Sequence, residues 1–244
     1  MTRRRWIADE VHGNTAALVG EHALHLVRVL RASVGQEFDI ATGISVRRGT
    51  ITSISDTRVD FLLGEEHSIP PAPDLTLALA IFKFDRMEWA IEKCTELGVT
   101  RIIPIIAQRT DSHLATAAAK RRERWQRLAL QASEQSRRTA PPEIAAPIKL
   151  RDFCSVGDPP AEARKIVLAE SENDTRLRDT LDSRPSPVVL AVGPEGGWAP
   201  DELRWFHDNH WIAASLGDTI LRAETAAIVA TALALDAFRS SGPV

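Results

Sequence analysis

Cysteine is scarce in this sequence. Only Cys94 and Cys154 occur among 244 residues, and they form no metal-spaced pair. With no secretory apolar segment after Met1, both read as reduced thiols, packed as small side chains in a cytoplasmic protein. Apolar runs of membrane-spanning length are missing too, so no membrane segment is expected. Several enzyme signatures are absent. No GxGxxG follows a strand and no GxxxxGKS/T exists, which removes the dinucleotide fingerprint and the P-loop. No HExxH, CxxC or GxSxG occurs, which removes the common zinc and serine hydrolases. The seven histidines are scattered. His22 and His25 are helical neighbours with no carboxylate partner expected nearby, so no metal is expected.

Charge of one sign is also lacking. The net charge of −3 argues against indiscriminate coating of nucleic acid, but it allows a local basic surface. The arginines are in fact clustered: Arg3-Arg4-Arg5, Arg28 with Arg31, Arg47-Arg48, Lys120-Arg121-Arg122 with Arg124, and Arg137-Arg138. Each cluster read alone is a solvated face. The apolar content of 44% and charged content of 26% suit one large or two small globular domains.

Residues 1–63 read as a small β-rich module. A strand opens near Arg4–Ala8. EHALHLVRVLR (21–31) reads as an amphipathic helix with Leu24, Val27 and Leu30 on one face and His25, Arg28 and Arg31 on the other. Strands follow over 36–41, 46–54 and 58–63, which suggests a small barrel. GEEHSIPPAPD (64–74) reads as a proline-stiffened linker. From Leu75 the pattern changes to alternating strands and helices, which implies a mostly parallel sheet over 74–244. Strands are expected at 75–82, 101–106 and 165–170. A helix is expected at 86–97, with Met87, Trp89, Ala90, Cys94 and Leu97 inward and Gly98 as its stop. A long helix is expected at 115–138, with Trp125, Leu128, Ala132 and Ser136 on one stripe and Pro141-Pro142 ending it. A short helix is expected at 175–181.

The chain is organised around its last fifty residues. VVLAV (188–192) reads as a buried strand, followed at once by Gly193-Pro194-Glu195-Gly196-Gly197. Three glycines in five residues make a tight loop that lets a ligand approach the backbone closely. A second buried strand is expected over 212–216, ending at Gly217, with ILRAETA before a helix. Ligands bind beyond the carboxyl ends of such strands. Between Ala226 and Phe238 only Thr231 and Asp236 interrupt the apolar residues. A helix apolar all round needs a central place or a second subunit, and the second subunit is preferred.

GPEGG, LGxxILRAETA, KFDRMEWAIEKCTELGV (83–99), QASEQSRR (131–138) and HLVRVLR (25–31) together resemble the bacterial small-subunit ribosomal RNA methyltransferases that act on N3 of a uridine, the RsmE family of the SPOUT superfamily. The resemblance covers nearly the whole chain. It implies an α/β catalytic domain with a deep trefoil knot over 74–244 and an N-terminal PUA-like barrel over 1–68 that binds RNA. It implies S-adenosyl-L-methionine as cofactor, held by Leu168, Gly193, Pro194, Glu195, Gly196, Gly197, Leu216, Gly217, Ile220, Leu221, Glu224 and Thr225. Glu195 would brace its loop by accepting bonds from loop amides, and Trp198 would anchor that loop. Arg222 would be catalytic, unless it merely pairs with Glu224 or Asp218. RNA would meet Arg3, Arg4, Arg5, His25, Arg28, Arg31, Lys83, Arg86, Arg109 and Arg138. The expected partners are 16S ribosomal RNA or the small subunit, and a second copy of the chain through the 226–238 helix. Two rivals stay open: the same fold acting on another RNA position, such as a ribose 2′-oxygen, and a non-catalytic RNA-binding assembly factor.

Overall fold

The computed structural model describes residues 5–69, 72–153, 162–181 and 187–239. Arg3, Arg4, Cys154 and the Pro70-Pro71 pair lie outside them. The chain divides into two compact units. Residues 1–71 with 133–141 form the first, and 72–132 with 142–244 form the second. The segment 133–141, which the sequence reading leaves in the catalytic part, thus joins the first unit.

The first unit is a six-stranded sheet: β1 (Arg5–Ile7), β2 (Glu10–His12), β3 (Thr15–Val19), β4 (Glu37–Ala41), β5 (Ser45–Ile54) and β6 (Arg58–Ser68), in the order β1-β4-β5-β6-β3-β2. Its edge strands are consecutive in the chain. Ala8 N–H donates to Ala41 O and Asp9 N–H to Ala17 O, both at 3.0 Å. The sheet therefore curls until its two edges meet at Ala8-Asp9. Trp6, Leu18, Leu26, Ile40, Ile51, Val59 and Phe61 fill it.

Three expectations fail in this unit. The 21–31 segment is not one regular helix. A short α1 (Glu21–Leu24) runs into a π-helical turn, His25–Val29. The wider winding moves the inward face to Ala23 and Leu26 and leaves Leu30 exposed. The proline-rich linker is also shorter than expected, because β6 runs on to Ser68. The arginine clusters separate into those used by the fold and those facing water. Arg47 donates to Gly64 O, Leu63 O, Gly13 O and Asn14 Oδ1, and Arg48 pairs with Glu37. Arg28 and Arg31 are exposed. His22, expected to lack a carboxylate, has Asp9 at 2.9 Å and Glu134 at 3.7 Å. The hydrogen bond to Asp9 raises the His22 pKa above its usual value, against the opposing effect of burial.

The second unit holds β7 (Leu75–Ala80), α2 (Phe84–Leu97), β8 (Arg101–Ile106), most of α3 (Ser112–Gln135), β9 (Glu143–Ile144), β10 (Ile148–Lys149), α4 (Leu150–Phe153), β11 (Arg164–Leu168), α5 (Leu177–Thr180), β12 (Val188–Val192), α6 (Pro200–Asp208), β13 (Ile212–Ala214) and α7 (Ala223–Arg239). The sheet runs β10-β8-β7-β12-β11-β13 with β9 beside β8, and every pair is parallel. Helices cover both faces. Leu75, Leu77, Leu79, Leu190 and Val192 face α2, α3 and α7. Ala78, Ala80, Val189 and Ala191 face α4, α6, Trp198 and Trp211. Strands buried on both faces read as unbroken apolar runs, which is why β7, β8 and β12 stand out in the sequence.

The expected buried strand over 212–216 is shorter and lies at the sheet edge. Among the described residues β13 pairs only β11, and Ile212 is exposed. Trp89 on α2, expected inward, is 48% exposed. α3 ends at Gln135, well before the prolines, and Arg137 adopts a φ of 59°. On α3, Arg121 and Arg124 are held by Glu88, Arg121 also lies over the Phe84 ring, and Arg122 donates to Ile144 O. α7 is not buried all round. Ala223, Ala227, Ala230, Thr231 and Ala234 form its buried face, packed against α2, β7 and β12. Thr231 bonds the Cys94 thiol at 3.4 Å, and burial pushes that thiol's pKa up to about 12, so it stays protonated and inert. Ile228, Val229, Leu233 and Phe238 are only half-buried.

Candidate active site

Three segments leave the carboxyl ends of neighbouring parallel strands and enclose one cleft of about 690 Å³. The first is 168–173 after β11, the second 193–198 after β12, and the third 214–223 between β13 and α7. Arg86 from the first turn of α2 and Arg109 from the loop after β8 complete the wall. Leu168, Gly193, Pro194, Glu195, Gly196, Gly197, Leu216, Gly217, Ile220, Leu221 and Arg222, all singled out from the sequence, line this cleft. Glu224 and Thr225 lie in the first turn of α7, outside the lining.

The 193–197 loop is fixed by its neighbours. Trp198 is buried, its Nε1 donates to Leu168 O at 3.2 Å, and its ring stands edge-on to Phe206 at 4.9 Å. The indole thereby ties this loop to the end of β11, as a loop anchor. A side chain at Gly193 would press on that indole, with Cβ 3.2 Å from Nε1. Gly197 N–H donates to Pro194 O at 2.8 Å, and Gly197 has a φ of +69°, where L side chains are strained. Gly196 differs. Its φ is not positive, and a Cβ there would meet only Arg109 carbons at ordinary distance, the nearest 3.6 Å away. The protein's own packing gives no reason for glycine at 196. The positive φ of this loop falls at Gly197.

Arg109 donates from Nη1 to Gly196 O at 2.5 Å. Its loop is set by Glu202, a buried residue that the sequence reading passes over. Glu202 Oε1 accepts from Gln108 N–H at 2.7 Å and Oε2 from Ala199 N–H at 2.9 Å. The signal was present: Pro200 at a helix start with a glutamate two residues on is a helix N-terminal pattern.

Arg86, which the resemblance places against RNA, has two carboxylates flanking it in the fold. Its Nη1 donates to Glu195 Oε1 at 3.1 Å, and its Nε lies 3.8 Å from Glu224 Oε1. Glu195 thus pairs with a guanidinium instead of bracing its own loop's amides. The Glu224 side chain is 5% exposed, and its Oε2 is buried with no partner among the described residues. On the other side, Arg176 pairs with Asp218 at 2.6 Å. Neither carboxylate that could have paired with Arg222 does so. Arg222 is exposed and makes no side-chain hydrogen bond or ion pair among the described residues. It is a cation held in a cleft with its donors uncommitted.

The remaining residues assigned to RNA divide between the units. Lys83 is exposed just before α2. Arg5, His25, Arg28, Arg31 and Arg138 belong to the first unit. Arg5 is not a free cation, because it donates to Arg137 O. His25 packs edge-on to Trp6 at 5.7 Å. Burial lowers the Arg138 pKa to about 10, which leaves it charged at neutral pH. Among the described residues no cluster of three or more His, Cys, Asp or Glu could hold a metal ion, and no helix is long and apolar enough to cross a membrane.

An RNA methyltransferase domain family matches residues 70–235. A ribosomal RNA small subunit methyltransferase E from Synechocystis is 34% identical over 229 residues, covering 92% of this chain and 74% of the relative. The protein of that name from Bacillus subtilis is 29% identical over 229 residues, covering 88% of each. Among solved structures, ribosomal RNA small subunit methyltransferase E from Neisseria gonorrhoeae, bound to S-adenosyl methionine, superposes with a TM-score of 0.82 at 30% identity, over 94% of this chain and 95% of that one. A putative methyltransferase from Legionella pneumophila, in complex with the same cofactor, gives 0.84 at 28% identity, over 97% and 98%.

Proposed function

This chain belongs to the RNA methyltransferase family, among the ribosomal RNA small subunit methyltransferases E, and on that premise we propose that it methylates N3 of a uridine in 16S ribosomal RNA. The observation that carries the reading is the cleft itself. Two glycine loops meet there beside a cation with uncommitted donors.

The cleft suits S-adenosylmethionine. Leu168, Val192, Leu216 and Leu221 offer an apolar slot for adenine, and the 193–197 and 215–217 backbones offer partners for its ring edge. At Gly196 a side chain would fill space that the protein itself leaves open. When bound, the cofactor supplies an electrophilic methyl group, so no metal is required. The chain's task is the other reactant. Neutral uridine N3 carries a proton and is a poor nucleophile. As that proton leaves, negative charge spreads onto the two carbonyl oxygens of uracil. Arg222 would hold a permanent positive charge and planar donors beside them, favouring the ionised base.

The reading extends to the rest of the chain. Residues 1–68 form a PUA-like barrel, and Arg28 with Arg31 hold phosphates on it, positioning the RNA. The segments of the second unit thread a trefoil knot. Two chains pair through the half-buried apolar flank of α7. Light scattering at micromolar protein that finds only a 26.8 kDa species would remove the dimer from the reading. The enzyme works in the cytoplasm on rRNA or on the small subunit.

The decisive experiment incubates the protein with S-adenosylmethionine and small subunits or 16S RNA, then analyses the nucleosides by mass spectrometry. N3-methyluridine is expected. A 2′-O-methylated nucleoside would move the target to a ribose. No modified nucleoside, together with no cofactor binding in calorimetry, would leave an RNA-binding assembly factor.

A further inference from the structure

We propose that Arg86 is a positioning residue that sets the distance between the 193–197 loop and the 216–222 loop by holding Glu195 with one edge of its guanidinium and Glu224 with the other. The inference rests on the functional reading above only for what the two loops bind. The geometry stands by itself. Nη1 meets Glu195 Oε1 at 3.1 Å and Nε lies 3.8 Å from Glu224 Oε1. These donors point along different edges of one rigid plane, so a single side chain can serve two loops at once.

Glu224 explains why a cation belongs there. Its side chain is 5% exposed and its Oε2 has no partner among the described residues. A buried carboxylate is stable only when paired, and Arg86 is the cation beside it. Without Arg86, Glu224 is drawn towards water, and the loop that carries Arg222, two residues earlier, moves with it. Glu195 is the second arm. It sits between Pro194 and Gly196, so its tether to α2 holds the middle of the loop that faces the adenine slot. An RNA contact, the role the sequence suggests for Arg86, would leave both carboxylates unneutralised when RNA took the guanidinium away.

The test uses the full chain with Arg86→Ala, Arg86→Lys, Glu195→Gln and Glu224→Gln. Three quantities are measured: S-adenosylmethionine affinity by calorimetry, single-turnover rate on small subunits at saturating cofactor, and the salt dependence of RNA binding. Glu195→Gln is expected to weaken cofactor binding about tenfold, as for a loop competent about one-tenth of the time, with the rate at saturation kept. Glu224→Gln is expected to lower that rate with affinity kept. Arg86→Ala is expected to do both, and Arg86→Lys to restore one arm but not both. RNA affinity and its salt slope should stay as in wild type. A salt slope reduced by about one with cofactor affinity unchanged would overturn the proposal and return Arg86 to phosphate binding. Loss of both quantities in the same proportion from every variant would overturn it too, because it would mean general loosening. If wild type shows no methyl transfer, the functional reading fails but the clamp is still decided. Amide hydrogen exchange without ligand should then rise in both 193–197 and 216–222 for Arg86→Ala, and unchanged exchange in either loop would reject the clamp. If Arg86→Ala does not fold, the opposed effects of the two glutamine variants decide it.

Discussion

The loop after β12 is tied to β11 by Trp198, to the loop after β8 by Arg109 and to α2 by Arg86, whereas the loop after β13 is held at Ser215 by backbone hydrogen bonds with Thr175 and Leu177 and farther along by the ion pairs of Asp218 and Glu224. Asp218, which meets Arg176, has a side chain 91% exposed, and exposed pairs of this kind contribute about 0–1 kcal/mol. Ile220 is 80% exposed at the centre of this second loop. The two walls of the cleft thus differ in how far they are formed before any ligand arrives. The first has buried aromatic and hydrogen-bonded supports and is ready for a small molecule of fixed shape. The second carries Arg222 and an unattached apolar side chain, and it can adjust to a substrate that arrives on a large RNA.

The largest expected effect removes the support of the first wall. Trp198→Ala should destabilise the protein by about 3–5 kcal/mol, as for other buried aromatic truncations, in a denaturant titration. A loss below about 1 kcal/mol would mean that the loop holds itself. Arg222→Ala comes next and attacks the second wall. The turnover rate should fall by about 10²–10³, equivalent to about 2.7–4 kcal/mol, with cofactor affinity and stability nearly unchanged. Arg222→Lys should rescue poorly, because an ammonium lacks the planar fork. Raising the pH should recover part of the alanine variant's rate, since more uridine is then ionised. Equal losses of rate and affinity would make Arg222 a brace for its loop.

Two neighbouring glycines sharpen the contrast within the first wall. Gly197→Ala forces a side chain into the left-handed region at a cost of about 1–2 kcal/mol, visible in thermal unfolding. Gly196→Ala should change stability by less than about 0.5 kcal/mol and yet weaken cofactor binding in calorimetry, because the protein leaves room there and the ligand does not. Intact binding would reduce Gly196 to a turn residue. The smallest effect belongs to the second wall. Asp218→Asn should cost less than about 1 kcal/mol in the same melt, and a larger loss would show that this loop is less adjustable than its exposure implies.

The same contrast governs how much could be read from the sequence. β7, β8 and β12 are doubly covered, so their apolar runs mark them plainly. The glycines of 193–197 and the ILRAETA run mark the cleft's walls, because tight turns and helix starts use few residue types. Edges and irregular windings leave weaker traces. β13 borrowed buried status from an apolar composition that its edge position does not require. The π-turn at His25–Val29 has no periodicity that distinguishes it from an α-helix, so Val27 is placed against the core correctly while the burial of Ala23 and Leu26 and the exposure of Leu30 are not foreseen. The β2–β3 hairpin was missed although Gly13-Asn14 is a hairpin-turn pair. The pairing of Arg86 with Glu195 and Glu224 leaves no trace for a different reason. Charge clustering shows where cations are, but not which carboxylate a fold brings to them from 109 residues away.

The excursion of residues 133–141 into the first unit has a consequence for the order in which the chain is made. A ribosome finishes the strands of the first unit by residue 68 but must add roughly seventy residues before the segment ending at Pro141 emerges. At about 5–20 residues per second this is a delay of roughly 4–14 s. During that time His22 has Asp9 but not Glu134, and Arg5 lacks the Arg137 carbonyl. The nascent first unit is therefore incomplete until residues 72–132 of the second have been synthesised. A fragment cut after Pro71 would remain in that unfinished state, however well its sheet had formed.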